Sequence, residues 1–125
     1  MRHRRAGADR CGNTASGAAV NPRPGFASYA MAKGAVMALT RVASQEWGPY
    51  GITTNTFLPV GRSDAFNLSE QGHAAAAMIE SHSPVRRFGT PYEDIAPLLV
   101  FLASEEASYI NSQAIGADGG ITFLA

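Results

Sequence analysis

Cysteine, lysine and long apolar runs are scarce in this sequence. Cys11 is the one cysteine among 125 residues, so neither an internal disulfide nor a cysteine-based zinc site can form. A single unpaired thiol favours a reducing compartment, and we therefore expect a cytoplasmic location. No apolar run approaches the roughly 20 residues of a membrane span. The basic start, Met1 to Arg10, is not followed by the apolar segment of a secretory signal.

Charge is also sparse, and it is balanced. The 10 basic and 10 acidic residues give a formal net charge of +0, so neither nucleic acid nor a membrane surface is indicated as a partner. The three histidines, His3, His73 and His82, lack the spacing of metal ligands, and we expect no metal site. Lys33 is the only lysine, which makes it a residue to inspect.

The first half of the chain predicts a tail, a loop, a helix and a strand. Residues 1–12 show no period and predict an irregular tail, and residues 13–28 are a small-residue loop with two prolines. A helix is predicted over 28–47, with Ser28 as its N-cap. Residues 52–58 are β-branched and aromatic, as in a buried strand, in which Asn55 would be structural. The predicted inner face of the helix is Ala32, Ala35, Val36, Leu39, Val42 and Ala43.

The second half alternates in the same way. A short helix is predicted over 74–80, with a possible start at Ser69, and a firmer one over 91–104, where Thr90 and Glu93 form a capping box. Its apolar face is Ile95, Leu98, Leu99 and Leu102. A last strand is predicted near 113–117. Helices alternating with apolar strands favour an α/β fold with three parallel strands, near 10–15, 52–58 and 113–117.

Tyr29 and Lys33 are the first candidates for chemistry. They are spaced i, i+4 on the predicted helix, so both side chains lie on one face, one turn apart. A nearby ammonium favours the phenolate form of a tyrosine, and the two could act as an acid/base unit. The spacing is short and common, so an ordinary surface pair is the alternative. Ser16, 13 residues before Tyr29, could donate a hydrogen bond to a carbonyl oxygen, or could be a plain loop serine.

Together these residues resemble a known active-site segment. Ser-x12-Tyr-x-x-x-Lys before an Ala-rich helix is similar to that of the short-chain dehydrogenase/reductase family. Three further segments agree in order: GITTNTFLP at 51–59, RRFGTPYEDIAPLLVFLASEEASYI at 86–110 and GADGG at 116–120. The resemblance implies that residues 13–125 are the carboxy-terminal half of a doubly wound, Rossmann-type parallel sheet, with about three strands and flanking helices.

By this resemblance the chain would transfer hydride between NAD or NADP and an alcohol/carbonyl substrate. Tyr29 would be the general acid/base, Lys33 would favour its phenolate and hold the nicotinamide ribose, and Ser16 would orient the carbonyl. Pro59, Val60 and Ser63 would lie at the nicotinamide end of the cofactor. The helix over 28–47 would pack against its counterpart in a homo-oligomer through Met31, Met37 and Ala38.

Departures from the family pattern keep a second hypothesis open. Val60 stands where the family has glycine, so it excludes glycine-only conformations and adds bulk near the nicotinamide; either Gly61 absorbs the change or the cofactor fits less well. Asn111-Ser112 replaces a position that is often glycine. The glycine-rich nucleotide loop and the strands around it are not found, so the isolated chain is expected to be inactive. The alternative is a truncated, inactive fragment of this fold, or an assembly module built on the helix over 28–47. The sequence separates neither NAD from NADP nor one substrate from another.

Overall fold

A computed structural model describes residues 9–62, 64 and 70–123 of the chain. The strands are β1 (Arg10–Thr14), β2 (Thr53–Pro59) and β3 (Ala114–Ala117). The helices are α1 (Ala27–Trp47), α2 (Glu70–His82) and α3 (Ala96–Ala103), which a π-helical turn (Pro91–Ile95) precedes. Short 3-10 turns cover Gly17–Ala19, Gly48–Tyr50 and Glu105–Ala107. No described helix is long and apolar enough to cross a membrane.

The three strands form one parallel sheet in the order β1-β2-β3, which confirms the predicted α/β class. Arg10 lies opposite Thr53 in the first pair, and Thr56 lies opposite Ala114 in the second. Because the strands are parallel, their carboxyl ends, at Thr14, Pro59 and Ala117, share one edge of the sheet. Ligands of doubly wound folds bind outside that edge.

The first strand corrects the predicted tail. Arg10 to Gly12 belong to β1, so the irregular segment cannot extend to residue 12 as expected. No side chain of β1 is fully buried, which explains why the sequence shows no apolar period there. The strand is held by backbone hydrogen bonds to β2. The order of apolar and polar side chains in the sequence does not reveal such bonds.

The face of α1 that meets the sheet was predicted only in part, since Ala43 is buried and Val36 packs against the core as expected. The buried side chains are Met37, Thr40, Ala43 and Ser44, whereas Leu39 and Val42 are exposed. Small side chains allow the helix to approach the sheet closely. The hydroxyl groups of Thr40 and Ser44 can be buried there because each donates to a backbone carbonyl of its own helix. Thr40 donates to the Val36 carbonyl at 2.8 Å and accepts from Asn13 Nδ2 at 3.0 Å. The helix also begins one residue before Ser28, and its N-cap is Phe26.

Strand β2 is the centre of the core, with every side chain from Thr53 to Leu58 buried. Asn55 has the structural role predicted for it. Its amide donates to the Ile110 carbonyl at 2.8 Å and accepts from the Gln113 N–H at 3.0 Å. These two bonds hold the connection into β3 against β2, because both backbone groups lack a ladder partner at this position.

The start of the α3 region differs in one detail from the predicted capping box. The apolar face predicted there is inward, with Leu102 buried. The Thr90 N–H, however, donates to Asp94 Oδ2 at 2.7 Å, and Glu93 reaches only the Thr90 hydroxyl, at 3.4 Å. A π turn holds one residue more than an α turn, so the carboxylate that reaches back lies four positions on.

Candidate active site

Lys33 links helix α1 to the carboxyl end of β1. Its Nζ donates to the Thr14 carbonyl at 3.2 Å and lies 5.8 Å from the centre of the Tyr29 ring. The i, i+4 spacing therefore brings the two side chains together as predicted. An ammonium group has three N–H donors, so two remain for other partners.

Tyr29 lies in the first turn of α1 and is 45% exposed. Its ring packs edge-on against Phe26, with centroids 6.2 Å apart and planes at 77°. Such an arrangement fixes the ring direction. Among the described residues its hydroxyl has no hydrogen-bond partner, so the oxygen is available to a ligand.

Ser16 begins the 3-10 turn that follows β1. Its Oγ accepts a hydrogen bond from the Ala18 N–H at 3.2 Å, which holds the side chain in place. A hydroxyl that accepts one bond still has its own proton to donate. Ser16 also lines a cavity of about 330 Å³ beside the sheet edge. Phe26 lines the same cavity, and its ring also packs against Tyr29, so Tyr29 lies next to the wall of the cavity that Ser16 lines.

The walls of this cavity are mostly apolar, and sequence reasoning missed most of them. The apolar lining residues are Phe26, Val60, Met78, Ile79 and Ile121. The polar ones are Ser16, Asn21, Arg23 and Thr122. They come from four separate stretches of the chain, so no local pattern could have grouped them. Ser16 and Val60 were predicted, and among the residues that were missed Arg23 had a sequence signal, because it lies between two prolines.

The residues predicted for the nicotinamide end are only partly described. Pro59 ends β2, and the Val60 N–H donates to the Ala117 carbonyl at 2.9 Å. Val60 is not in the left-handed region, so its backbone has a conformation that a valine can adopt. The next residue, Gly61, lies close to a neighbouring side chain, because an added Cβ would lie 2.4 Å from Ile95 Cδ1. Ser63 lies outside the described residues.

These features fit one end of a nicotinamide nucleotide. The free donors of Lys33 and the exposed Tyr29 hydroxyl lie at the carboxyl edge of the sheet and suit the hydroxyls of a ribose. The turn after β1, in contrast, is not a glycine-rich phosphate loop. The described residues therefore offer partners for the nicotinamide end and none of the usual partners for the pyrophosphate.

A second cavity of about 390 Å³ lies on the other side of Val60 and contains polar groups that are already paired. Arg87 and Asp94 form a double hydrogen bond, one arm of which is 2.6 Å long. The Arg87 side chain, helped by the Thr90 N–H, holds the pKa of Asp94 well below its usual range. Asp118 accepts from the Gly120 and Thr122 N–H groups at 3.0 and 2.8 Å. Residues 9–62, 64 and 70–123 contain no group of acidic, histidine and cysteine side chains able to hold a metal ion.

Comparison with known sequences decides the family. Residues 4–122 match a family model described as enoyl-(acyl carrier protein) reductase, which covers nearly the whole chain. The chain belongs to the short-chain dehydrogenase/reductase family. The match includes the segments around Ser16, Tyr29 and Lys33, so the resemblance carried by those residues is confirmed at the level of the family.

Individual relatives agree with this membership. An uncharacterised oxidoreductase of Bacillus subtilis, YjdA, is 40% identical over 108 residues, which are 86% of this chain and 41% of that protein. A probable 2,4-dienoyl-CoA reductase of the same organism is 42% identical, over 77% of this chain and 39% of that protein. The chain thus spans about two fifths of the length of these short-chain dehydrogenase/reductase relatives.

A solved structure supports the same fold. A protein of Agrobacterium tumefaciens assigned as a gluconate dehydrogenase superimposes with a TM-score of 0.78 at 30% identity. The superposition covers 91% of this chain and 45% of that one. The three-stranded sheet and its helices are therefore a part of a larger dehydrogenase fold in that protein.

Proposed function

We propose that this chain supplies the acid/base part of an NAD(P)-dependent oxidoreductase that interconverts an alcohol and a carbonyl compound. The observation that carries the proposal is the position of Lys33, bonded to the end of β1 and 5.8 Å from the Tyr29 ring. This arrangement places a phenol and an ammonium group side by side at the end of β1, where the phenol can exchange a proton with a bound substrate.

Each of the three side chains has a separate task in this proposal. Tyr29 exchanges a proton with the substrate oxygen. Ser16, held by the Ala18 N–H, donates its hydroxyl proton to the same oxygen and steadies the charge that develops on it. Lys33 lies beside the Tyr29 ring and offers its two remaining N–H groups to a ribose. The nicotinamide, when bound, accepts or donates the hydride.

The cavity beside Ser16 supports an organic substrate. Its apolar walls and a volume of about 330 Å³ suit a small molecule. Val60 and Pro59 are proposed to border the nicotinamide end, and Ser63 is proposed to join them. The described residues do not distinguish NAD from NADP.

A second candidate function, assembly through helix α1, rests on the exposed side of that helix. Met31 is 73% exposed and Leu39 is 65% exposed, and with Ala35, Ala38 and Val42 they form one apolar stripe. Met37, which was expected on this outward face, is buried in the core and plays no part in it. We propose that two copies of the chain pack through this stripe. An assembly role and the acid/base role are compatible.

The test of the acid/base proposal uses two proteins. One is the isolated 125-residue chain, and the other, called here the extended chain, carries the amino-terminal part of the Bacillus subtilis oxidoreductase in front of it. Oxidation of NADH and NADPH is followed with a panel of aldehydes and ketones. We expect turnover by the extended chain and none by the isolated chain, since a positional error of about 1 Å in a loosely held cofactor can cost on the order of 100-fold.

Lys33 provides the matched control in that assay. Lys33→Met is expected to abolish turnover by the extended chain, whereas Arg41→Met, which removes a cation on the exposed side of the same helix, leaves it intact. Turnover that survives Lys33→Met would contradict the proposal. Turnover by the isolated chain would contradict its expected inactivity.

A further inference from the structure

We propose that Arg23 selects the substrate, and that this substrate carries an anionic group in addition to its carbonyl or alcohol. The inference rests on the proposed function, because it concerns the cavity that Ser16 lines. Arg23 lines the same cavity. Among the described residues that line it, Arg23 is the only charged one, and the others are apolar or neutral.

No carboxylate side chain neutralises the charge of Arg23 in the described part of the chain. Two other arginines have carboxylate partners, since Arg62 pairs with Glu80 and Arg87 with Asp94. All 10 acidic side chains lie in the described part of the chain, and none of them forms a salt bridge with Arg23. An arginine side chain keeps its positive charge in proteins. A guanidinium group is thus left at the cavity with its five N–H donors available.

The backbone around Arg23 is fixed rather than loose. Residues 23–26 form a turn in which the Phe26 N–H donates to the Arg23 carbonyl at 3.1 Å. Pro24 and Gly25, whose φ is +87°, occupy the two central positions, as a type II turn requires. On the other side, the Asn21 N–H donates to the Gly17 carbonyl at 2.8 Å. Because both sides of Arg23 are anchored, less conformational freedom is lost when its side chain binds a ligand.

The turn also ties Arg23 to the residues of the proposed reaction. Phe26, at the end of the turn, contacts Tyr29 and forms part of the cavity wall. Ser16 and Gly17, at the other anchor, begin the 3-10 turn that holds the Ser16 hydroxyl. The same short stretch therefore places a hydroxyl group and a cation at one cavity. Met78, Ile79 and Ile121 supply apolar surface to the same cavity.

This arrangement fits a molecule with three parts. The carbonyl or alcohol lies at Ser16, an apolar middle contacts the cavity wall, and a carboxylate or phosphate meets Arg23. A guanidinium group binds either anion through paired N–H···O bonds. The expected preference for the anion over a neutral analogue is about tenfold, since Arg23 is exposed and water screens part of the attraction.

The test measures binding to the 125-residue chain and does not depend on turnover. Isothermal titration at low ionic strength compares 8-oxononanoate with 8-oxononanamide, which differ only in the charged group, and 7-oxooctyl phosphate adds the second anion. We expect both anions to bind about tenfold more tightly than the amide. Tighter binding of the phosphate assigns a phosphate-bearing substrate, and tighter binding of the carboxylate assigns an acid. The preference is expected to vanish in Arg23→Gln and to persist in Arg41→Gln, an exposed arginine outside this cavity.

Several results would overturn the inference: equal binding of acid and amide, an unchanged preference in Arg23→Gln, or no binding of any probe. Its failure is distinguishable from failure of the proposed function. Turnover of neutral ketones by the extended chain, dependent on Lys33 but without preference for the anions, would refute the role of Arg23 alone. Retained preference for the anions with no turnover would refute the acid/base proposal alone.

Discussion

Ser112 should be one of the few positions where a single substitution stabilises this chain. Its φ is +62°, in the left-handed region, although serine has a Cβ that disfavours this conformation. The backbone is held there because the Ser112 N–H donates to the Thr54 carbonyl at 2.9 Å, next to the strand at the centre of the core. Replacing Ser112 with glycine keeps that bond and removes the steric conflict.

The size of the effect follows from two opposing terms. A left-handed conformation costs an L-residue roughly 1–2 kcal/mol. Relieving this cost is the gain from glycine. Glycine also loses more conformational entropy on folding than serine, and this loss reduces the gain by about 0.5–1 kcal/mol. We therefore expect Ser112→Gly to raise the free energy of unfolding by about 0.5–1 kcal/mol, or the melting temperature by about 2–6 °C.

Ser108 is the matched control, because it lies four residues earlier in the same connection with an ordinary φ of −60°. Ser108→Gly gains nothing from relieved strain and should lower stability by about 0.5 kcal/mol. Urea unfolding followed by circular dichroism measures both variants against the parent chain. Equal effects of the two substitutions, or a loss of stability in Ser112→Gly, would refute the reasoning.

Three other outcomes are expected. Asn55→Ala should destabilise the chain by about 2–4 kcal/mol in urea unfolding, because two part-buried backbone groups lose the buried Asn55 side chain as their partner, whereas Gln113→Ala should change little. Leu39→Glu should abolish self-association in light scattering, and a dimer that persists would place the interface elsewhere. Because Arg87 lowers the pKa of Asp94, its carboxylate stabilises the fold above the ordinary carboxyl pKa, and this contribution is lost as pH falls. The deficit of Asp94→Asn in urea unfolding should therefore be largest near pH 7 and shrink below about pH 4.

The order of the elements could be predicted from the sequence, and the orientation of α1 could not. Turn residues and apolar runs marked the strands and helices within a few positions. On α1, apolar and small residues occur around most of the circumference, so periodicity alone placed Ala43 correctly and Leu39 and Val42 wrongly. The true inner face contains Thr40 and Ser44, whose hydroxyl groups are satisfied by backbone carbonyls. Only the three-dimensional contacts show that these polar residues face the sheet.

The candidate site was predictable in its central residues and not in its walls. Tyr29 and Lys33 are one helical turn apart, a relation that sequence spacing determines. Met78, Ile79 and Ile121 reach the cavity from distant stretches, and the sequence contains no signal for that meeting. Strand β1 lies where a strand near 10–15 was predicted, although it is specified by pairing with β2 rather than by buried side chains.

The central claim is that Tyr29 exchanges the proton in a nicotinamide-dependent reaction. The most direct measurement is kcat/KM of the extended chain with NADH or NADPH and its best carbonyl substrate, for Tyr29→Phe and for Tyr50→Phe. Tyr50 is 76% exposed and lies beyond the far end of α1, so it serves as the control. General acid/base catalysis contributes about 10²–10⁴-fold, and a loss of this size is predicted for Tyr29→Phe alone. Activity that survives Tyr29→Phe at the level of Tyr50→Phe would contradict the claim.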